Sequence, residues 1–142
     1  MRYLLLFLVC SISYADNITS ITQIGNNNDI EFSQIGNLNN ITYNGNGSFN
    51  NVDVSQSGDN KTATLNILNN NNNINISQSG TGIDSASITA SGGAKSISIT
   101  QQGAGSHTAS INLSGLPVAF DLIQSGANNQ SFSVLFCRFW GP

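Results

Sequence analysis

Val52-Asp53-Val54-Ser55-Gln56-Ser57-Gly58-Asp59-Asn60-Lys61-Thr62-Ala63-Thr64-Leu65-Asn66-Ile67 carries one unit of this chain. Val52, Val54 and Gln56 alternate with Asp53 and Ser55, the period-2 pattern of a half-buried strand. Ser57-Gly58-Asp59-Asn60 is turn chemistry, because glycine and asparagine tolerate positive φ. Ala63, Leu65 and Ile67 alternate with Thr64 and Asn66 as a second strand. Asn69 to Asn73 closes the unit, and Ile74, Ile76 and Gln78 open the next.

Outward from this stretch the pattern repeats. Gln34, Gln56, Gln78, Gln101 and Gln124 recur every 22 to 23 residues, each followed two positions later by Gly36, Gly58, Gly80, Gly103 or Gly126. Half a beat later the glutamine position holds Gly45, Ile67, Ala90, Leu113 and Phe136. Ile30-Phe32, Ile97-Ile99 and Phe120-Leu122 match Val52-Val54. Ile41 with Tyr43, Ala86-Ile88, Ala109-Ile111 and Phe132-Val134 match the second strand. A fixed period of this size means stacked turns of chain, each too small to bury its own apolar face. The pattern predicts an all-β fold, a β-solenoid of about five strand-turn-strand repeats with two facing parallel sheets. A half-unit (Thr19, Ile21, Gln23) precedes them.

The five glutamines fall in the inward phase of the alternation. A buried amide needs partners, and identical amides one rung apart can hydrogen-bond along the stack, so a structural ladder is expected. The outward column Glu31, Asp53, Asn75, Ser98, Asp121 places like charges one rung apart. Such charges restrain uncontrolled edge pairing or serve as ordinary solubilising surface.

Residues 1–15 read as a secretory signal peptide: Arg2, an apolar run from Leu4 to Val9, then small residues at Ser13 and Ala15 before Asp16. Residues 16–136 form the repeat region and 137–142 an apolar tail, Cys137 to Trp140 being its aromatic part. Without the first 15 residues, three basic side chains (Lys61, Lys95, Arg138) face seven acidic ones, a net charge of −4. No basic patch exists, so nucleic acid is not an expected partner. Cys137 is then the one remaining cysteine, which leaves no intrachain disulfide.

Enzyme chemistry finds little support. His107 lies in the turn-like run Gly105-Ser106-His107-Thr108 and is expected to be exposed. No acidic pair or metal-spaced cluster accompanies it, so no catalytic residues, metal, cofactor or small-molecule substrate are expected. Calcium-binding repeats need regularly placed turn aspartates, and Asp59 and Asp84 are too sparse. A disordered Asn-rich chain is disfavoured by the strict alternation of Ile, Val and Leu.

The Gln-x-Gly repeat, the signal peptide and the abundance of Asn, Gly and Ser resemble the curlin family, the subunits of secreted curli amyloid fibres of bacterial biofilms. The likeness is clearest at Gln56-Ser57-Gly58, Gln78-Ser79-Gly80, Gln101-Gln102-Gly103 and Gln124-Ser125-Gly126. Asn39 and Asn129 fill the family's asparagine position and Ala63 its alanine position. Asn28, Asn50 and Asn72 stand where the family has serine, and the second glutamine of each repeat is apolar or glycine. The resemblance implies a secreted subunit that self-assembles into extracellular cross-β fibres on a bacterial surface, for adhesion and biofilm matrix. It also implies a second curlin-type subunit as nucleator and an outer-membrane secretion pore as partners. Family subunits carry a leader segment for that pore, whereas here repeats start almost directly after Asp16. End-to-end contacts would use Ile21, Gln23, Ile30, Phe32 and Gln34 at the leading face, and Phe132, Val134 and Phe136 at the trailing one. The other reading is a monomeric secreted β-solenoid that binds sugar, ice or a surface.

Overall fold

Alternating side chains and positive-φ turns at a constant interval dictate a coil of flattened turns, and the chain forms one. The computed structural model describes the backbone of residues 6–10, and residues 16–136. It contains twelve strands and, among the described residues, no helix. They are β1 (Leu6–Cys10), β2 (Ile18–Ile24), β3 (Asp29–Ile35), β4 (Asn40–Asn46), β5 (Asn51–Ser57) and β6 (Lys61–Leu68). Then follow β7 (Asn73–Ser79), β8 (Asp84–Ser91), β9 (Lys95–Gln102), β10 (His107–Leu113), β11 (Val118–Ser125) and β12 (Gln130–Phe136).

Successive strands alternate between two six-stranded sheets, in the orders β1-β3-β5-β7-β9-β11 and β12-β10-β8-β6-β4-β2. Every strand pairing is parallel. This is a two-sheet β-solenoid of about five turns of roughly 23 residues. We call the first the glutamine sheet and the second the facing sheet.

Register follows the repeat. Val52 pairs with Ile74, Val54 with Ile76 and Gln56 with Gln78, so like side chains stack on like. Val52, Val54 and Ile76 meet Ala63, Leu65 and Ile67 across a thin core in which all six are buried. Toward the leading end Phe32 and Tyr43 fill the same space edge to face, their ring centroids 6.0 Å apart. At the trailing end Phe120 and Phe132 lie 5.7 Å apart with their ring planes tilted by 35°. An aromatic pair near each end is a wider filling than the aliphatic middle.

The turns are stacked as tightly as the strands. Gly58 adopts φ +110°, and a Cβ there would lie 2.2 Å from the Gly80 carbonyl oxygen of the next rung. Both the dihedral and the close approach exclude a side chain. Gly45 is glycine for a different reason: a Cβ would lie 2.1 Å from the Tyr43 hydroxyl and 2.4 Å from the Gln23 side-chain oxygen. The half-beat column has no amide there because the tyrosine tip takes the space.

With residues 6–10 present, Ile30 and Phe32 are buried and β3 pairs with β1, Leu6 being in register with Ile30 and Leu8 with Phe32; the expected leading face concerns the chain from Asp16 onward. The apolar run read as a signal segment also has the residues of a strand, and here it pairs as one. The Cys137–Trp140 tail lies outside the described residues.

Candidate functional surfaces and the buried polar columns

Stacking in register turns each repeat position into a column, and several of these columns are polar and buried. Gln34, Gln56, Gln78, Gln101 and Gln124 are joined head to tail. The Nε2 of each donates to the Oε1 of the next at 2.9, 2.8, 2.8 and 2.8 Å. Each Nε2 also donates across the core to a backbone carbonyl of the facing sheet, for instance Gln78 to Thr62 at 2.9 Å and Gln101 to Ser85 at 3.1 Å. The column thus ties rung to rung and sheet to sheet, satisfying buried amides that would otherwise cost about 1–3 kcal/mol each.

This ladder has direction. At the leading end the Thr19 hydroxyl donates to Gln34 Oε1 at 2.9 Å. At the trailing end Gln124 Nε2 donates only to the Thr108 and Gln130 carbonyls, at 3.1 and 3.2 Å. The ladder therefore begins at an acceptor capped by a hydroxyl and ends at a donor capped by two carbonyls.

Where each strand begins, a second type of column runs along each edge of the coil. Asn28 Oδ1 accepts from the backbone N–H of Asn50, Asn50 from that of Asn72, and Asn72 from that of Lys95, each at 3.0 Å. On the other edge Asn17 accepts from Asn39 at 3.0 Å and Asn39 from Lys61 at 2.9 Å. The short asparagine side chain closes the start of the next rung, as an N-cap side chain closes a helix end.

Beyond Lys61 that second column becomes ionic. Lys61 Nζ lies 3.0 Å from Asp84 Oδ2, and His107 Nδ1 donates to Asp84 Oδ1 at 2.7 Å, all three side chains being fully buried. Lys61 Nζ also donates to the Gly82 carbonyl. His107 is therefore not the exposed turn histidine that its neighbours suggested: it opens β10 and faces inward. Asp84 likewise opens β8 instead of projecting from a turn. The signal that finds this group is the repeat itself, since Asn17, Asn39, Lys61, Asp84, His107 and Gln130 follow one another at 22 or 23 residues.

Lys95, at the corresponding place on the opposite edge, has no carboxylate. Its Nζ donates to the carbonyls of Gly92, Gly93, Gly115 and Leu116, the last at 2.7 Å. Burial lowers its pKa below the ordinary 10.5.

The end strands complete the inventory. Ile21 lies half-buried on edge strand β2, where Gln23 donates to the Ile24 carbonyl at 3.1 Å. Phe132 and Val134 are half-buried on edge strand β12, which Phe136 ends. Glu31 and Asp53 are exposed neighbours on adjacent rungs. A shallow depression of about 350 Å³ on the glutamine sheet is lined by Ser96, Ser98, Ala119, Phe120 and Asp121.

No family model, curated protein or solved structure matches this chain. The class that fold and columns define is the parallel two-sheet β-solenoid.

Proposed function

We propose that this chain is a secreted structural subunit that stacks end to end into extracellular cross-β fibres of the curli kind on a bacterial surface. Its principal partner is a second copy of itself. A related nucleating subunit and an outer-membrane secretion pore would be its assembly and export partners. The observation that carries the reading is the pair of unlike ends. Among the described residues the trailing end finishes on parallel strands β11 and β12, beside the donor terminus of the amide ladder, which Thr108 and Gln130 carbonyls cap. The leading end has β1 and β2 as its edge strands, the acceptor terminus of the ladder at Gln34 lying one rung in and accepting from Thr19 of β2. Parallel edges of this kind are templates for another strand, and repeat arrays need polar caps to stay monomeric.

The test is assembly of the purified chain on removal of denaturant, followed by amyloid-dye fluorescence and fibre diffraction. A lag, growth and reflections near ~4.8 and ~10 Å are the expected result. A soluble, β-rich monomer that stays monomeric at high concentration would overturn the fibre reading in favour of a binding module.

A further inference from the structure

Lys61, Asp84 and His107 open strands β6, β8 and β10 and pair in register on consecutive rungs. All three side chains are fully buried, and Lys61 Nζ lies 3.0 Å from Asp84 Oδ2, a separation suited to reacting groups. Asp84 Oδ2 nevertheless accepts no aligned hydrogen bond, and His107 Nε2 is buried without a partner. Amine and carboxyl therefore touch without the geometry that would stabilise them best as a buried ion pair. The other carboxyl oxygen, Oδ1, accepts from His107 Nδ1 at 2.7 Å. An amine against a carboxyl that a donor already polarises, shut away from water, is the arrangement of a condensation site.

We propose that Lys61 and Asp84 condense into an intramolecular isopeptide bond across adjacent rungs, assisted by His107. One proton passes from the Lys61 ammonium to Asp84 Oδ2, giving an amine and a carboxylic acid. The Nζ lone pair attacks Cγ, and the negative charge that develops on Oδ1 is held by the His107 Nδ1–H. The Cγ–Oδ2 bond then breaks, and Oδ2 leaves as one water carrying two of the three protons that began on Nζ. The amide keeps the third, with the Gly82 carbonyl, already an acceptor for Nζ, at hand to receive it. No oxidant, cofactor or second substrate is consumed, and the exclusion of water favours the amide over its hydrolysis. Lys95, enclosed by carbonyls, has no such partner and serves as the internal control. The bond ties β6 to β8 in a chain that from Asp16 onward has a single cysteine, closing a loop as a disulfide would. It lies within one subunit and is independent of fibre assembly.

The test is mass spectrometry of the purified chain under denaturing conditions, intact and after proteolysis. The intact mass should fall one water below that of the sequence from its observed N-terminus. Trypsin should cut after Lys95 yet leave Lys61 uncut, and further cleavage by chymotrypsin after Leu65 or Leu68 should leave the Lys61 and Asp84 pieces joined. Lys61→Arg keeps the charge but removes the amine, and should show the full mass. In chain produced unfolded and then refolded, His107→Ala should slow the loss of water about 100-fold. His107→Asn, which restores a donor near the Nδ1 position, should recover part of that rate. A wild-type chain at full mass overturns the bond. So does one that lacks a water but is cut normally after Lys61, as a cyclic imide at an aspartate would be. Loss of water at the wild-type rate in His107→Ala overturns the role given to His107.

Discussion

Lys61 and Lys95 open strands on opposite edges of the same coil, and up to their side chains they are treated alike. Each backbone N–H donates to the asparagine one rung before, Asn39 or Asn72. Each side chain is then buried, and there the edges part. Lys61 meets Asp84, itself held by His107. Lys95 is enclosed by carbonyls of two turns, helped by Gly92 and Gly93, whose φ values of +60° and +63° curl the chain around its ammonium. A repeat backbone thus fixes where a charge is buried but not how it is neutralised. One edge uses a counter-ion on the next rung and the other uses local dipoles at a surface turn.

A third buried lysine with neither device is the most severe test of that contrast. Gln78→Lys would put an ammonium in the middle of the amide ladder, where the neighbours are amides and apolar side chains. We expect it to abolish both folding and fibre growth, because an isolated buried charge costs far more than a lost hydrogen bond; unchanged fibre formation would contradict a buried ladder. Next in size is Asp84→Ala. It strands Lys61 in the core and is expected to cost about 3–5 kcal/mol in denaturant unfolding. Lys95→Met should cost less, about 1–3 kcal/mol, because the carbonyls it orphans lie at a turn that water can reach. Equal losses for these two variants would erase the distinction between the edges.

Alkaline titration sharpens it further. Because burial lowers the Lys95 pKa, the unfolded chain holds more protons than the folded one between that lowered value and 10.5. Stability should therefore rise with pH across this window, and Lys95→Met should remove the rise. Tyr43 acts in the opposite sense. Burial pushes its hydroxyl up to about 12, so the folded chain keeps a proton that the unfolded chain loses, and stability falls as pH climbs from 10 toward 12. Tyr43→Phe should remove that fall.

The smallest expected effect concerns the turns. Phe49 adopts φ +60°, as does Asn71 one rung on, while Asn27 one rung before has φ +54°. A phenylalanine in this region is strained where asparagine is tolerated. Phe49→Asn should raise stability by about 1 kcal/mol, read from the thermal midpoint.

Most of the fold could be read from the sequence, since a 22- to 23-residue beat in phase with apolar alternation leaves few other arrangements. The polar columns were legible only where one residue type recurs. Five glutamines announce their column by identity. Asn39, Lys61, Asp84 and His107 share a column too, but their four chemistries differ, and reading His107 by its glycine and serine neighbours hides its place in the repeat. The pairing of Leu6–Cys10 was obscured by a real overlap: an apolar run of this length satisfies both a signal segment and an edge strand. Gly45 stood out as a break in the half-beat column, yet only the position of the Tyr43 hydroxyl explains it.

The one-way ladder of glutamines has an electrical consequence. Backbone dipoles largely cancel along a strand, but the side-chain amides of Gln34 to Gln124 all donate in the same direction along the axis. If each amide resembles a peptide unit of about 3.5 D, their moments add along a subunit and again along a stack of subunits. A long stack would be a polar rod that aligns in an applied electric field, with a torque proportional to its length.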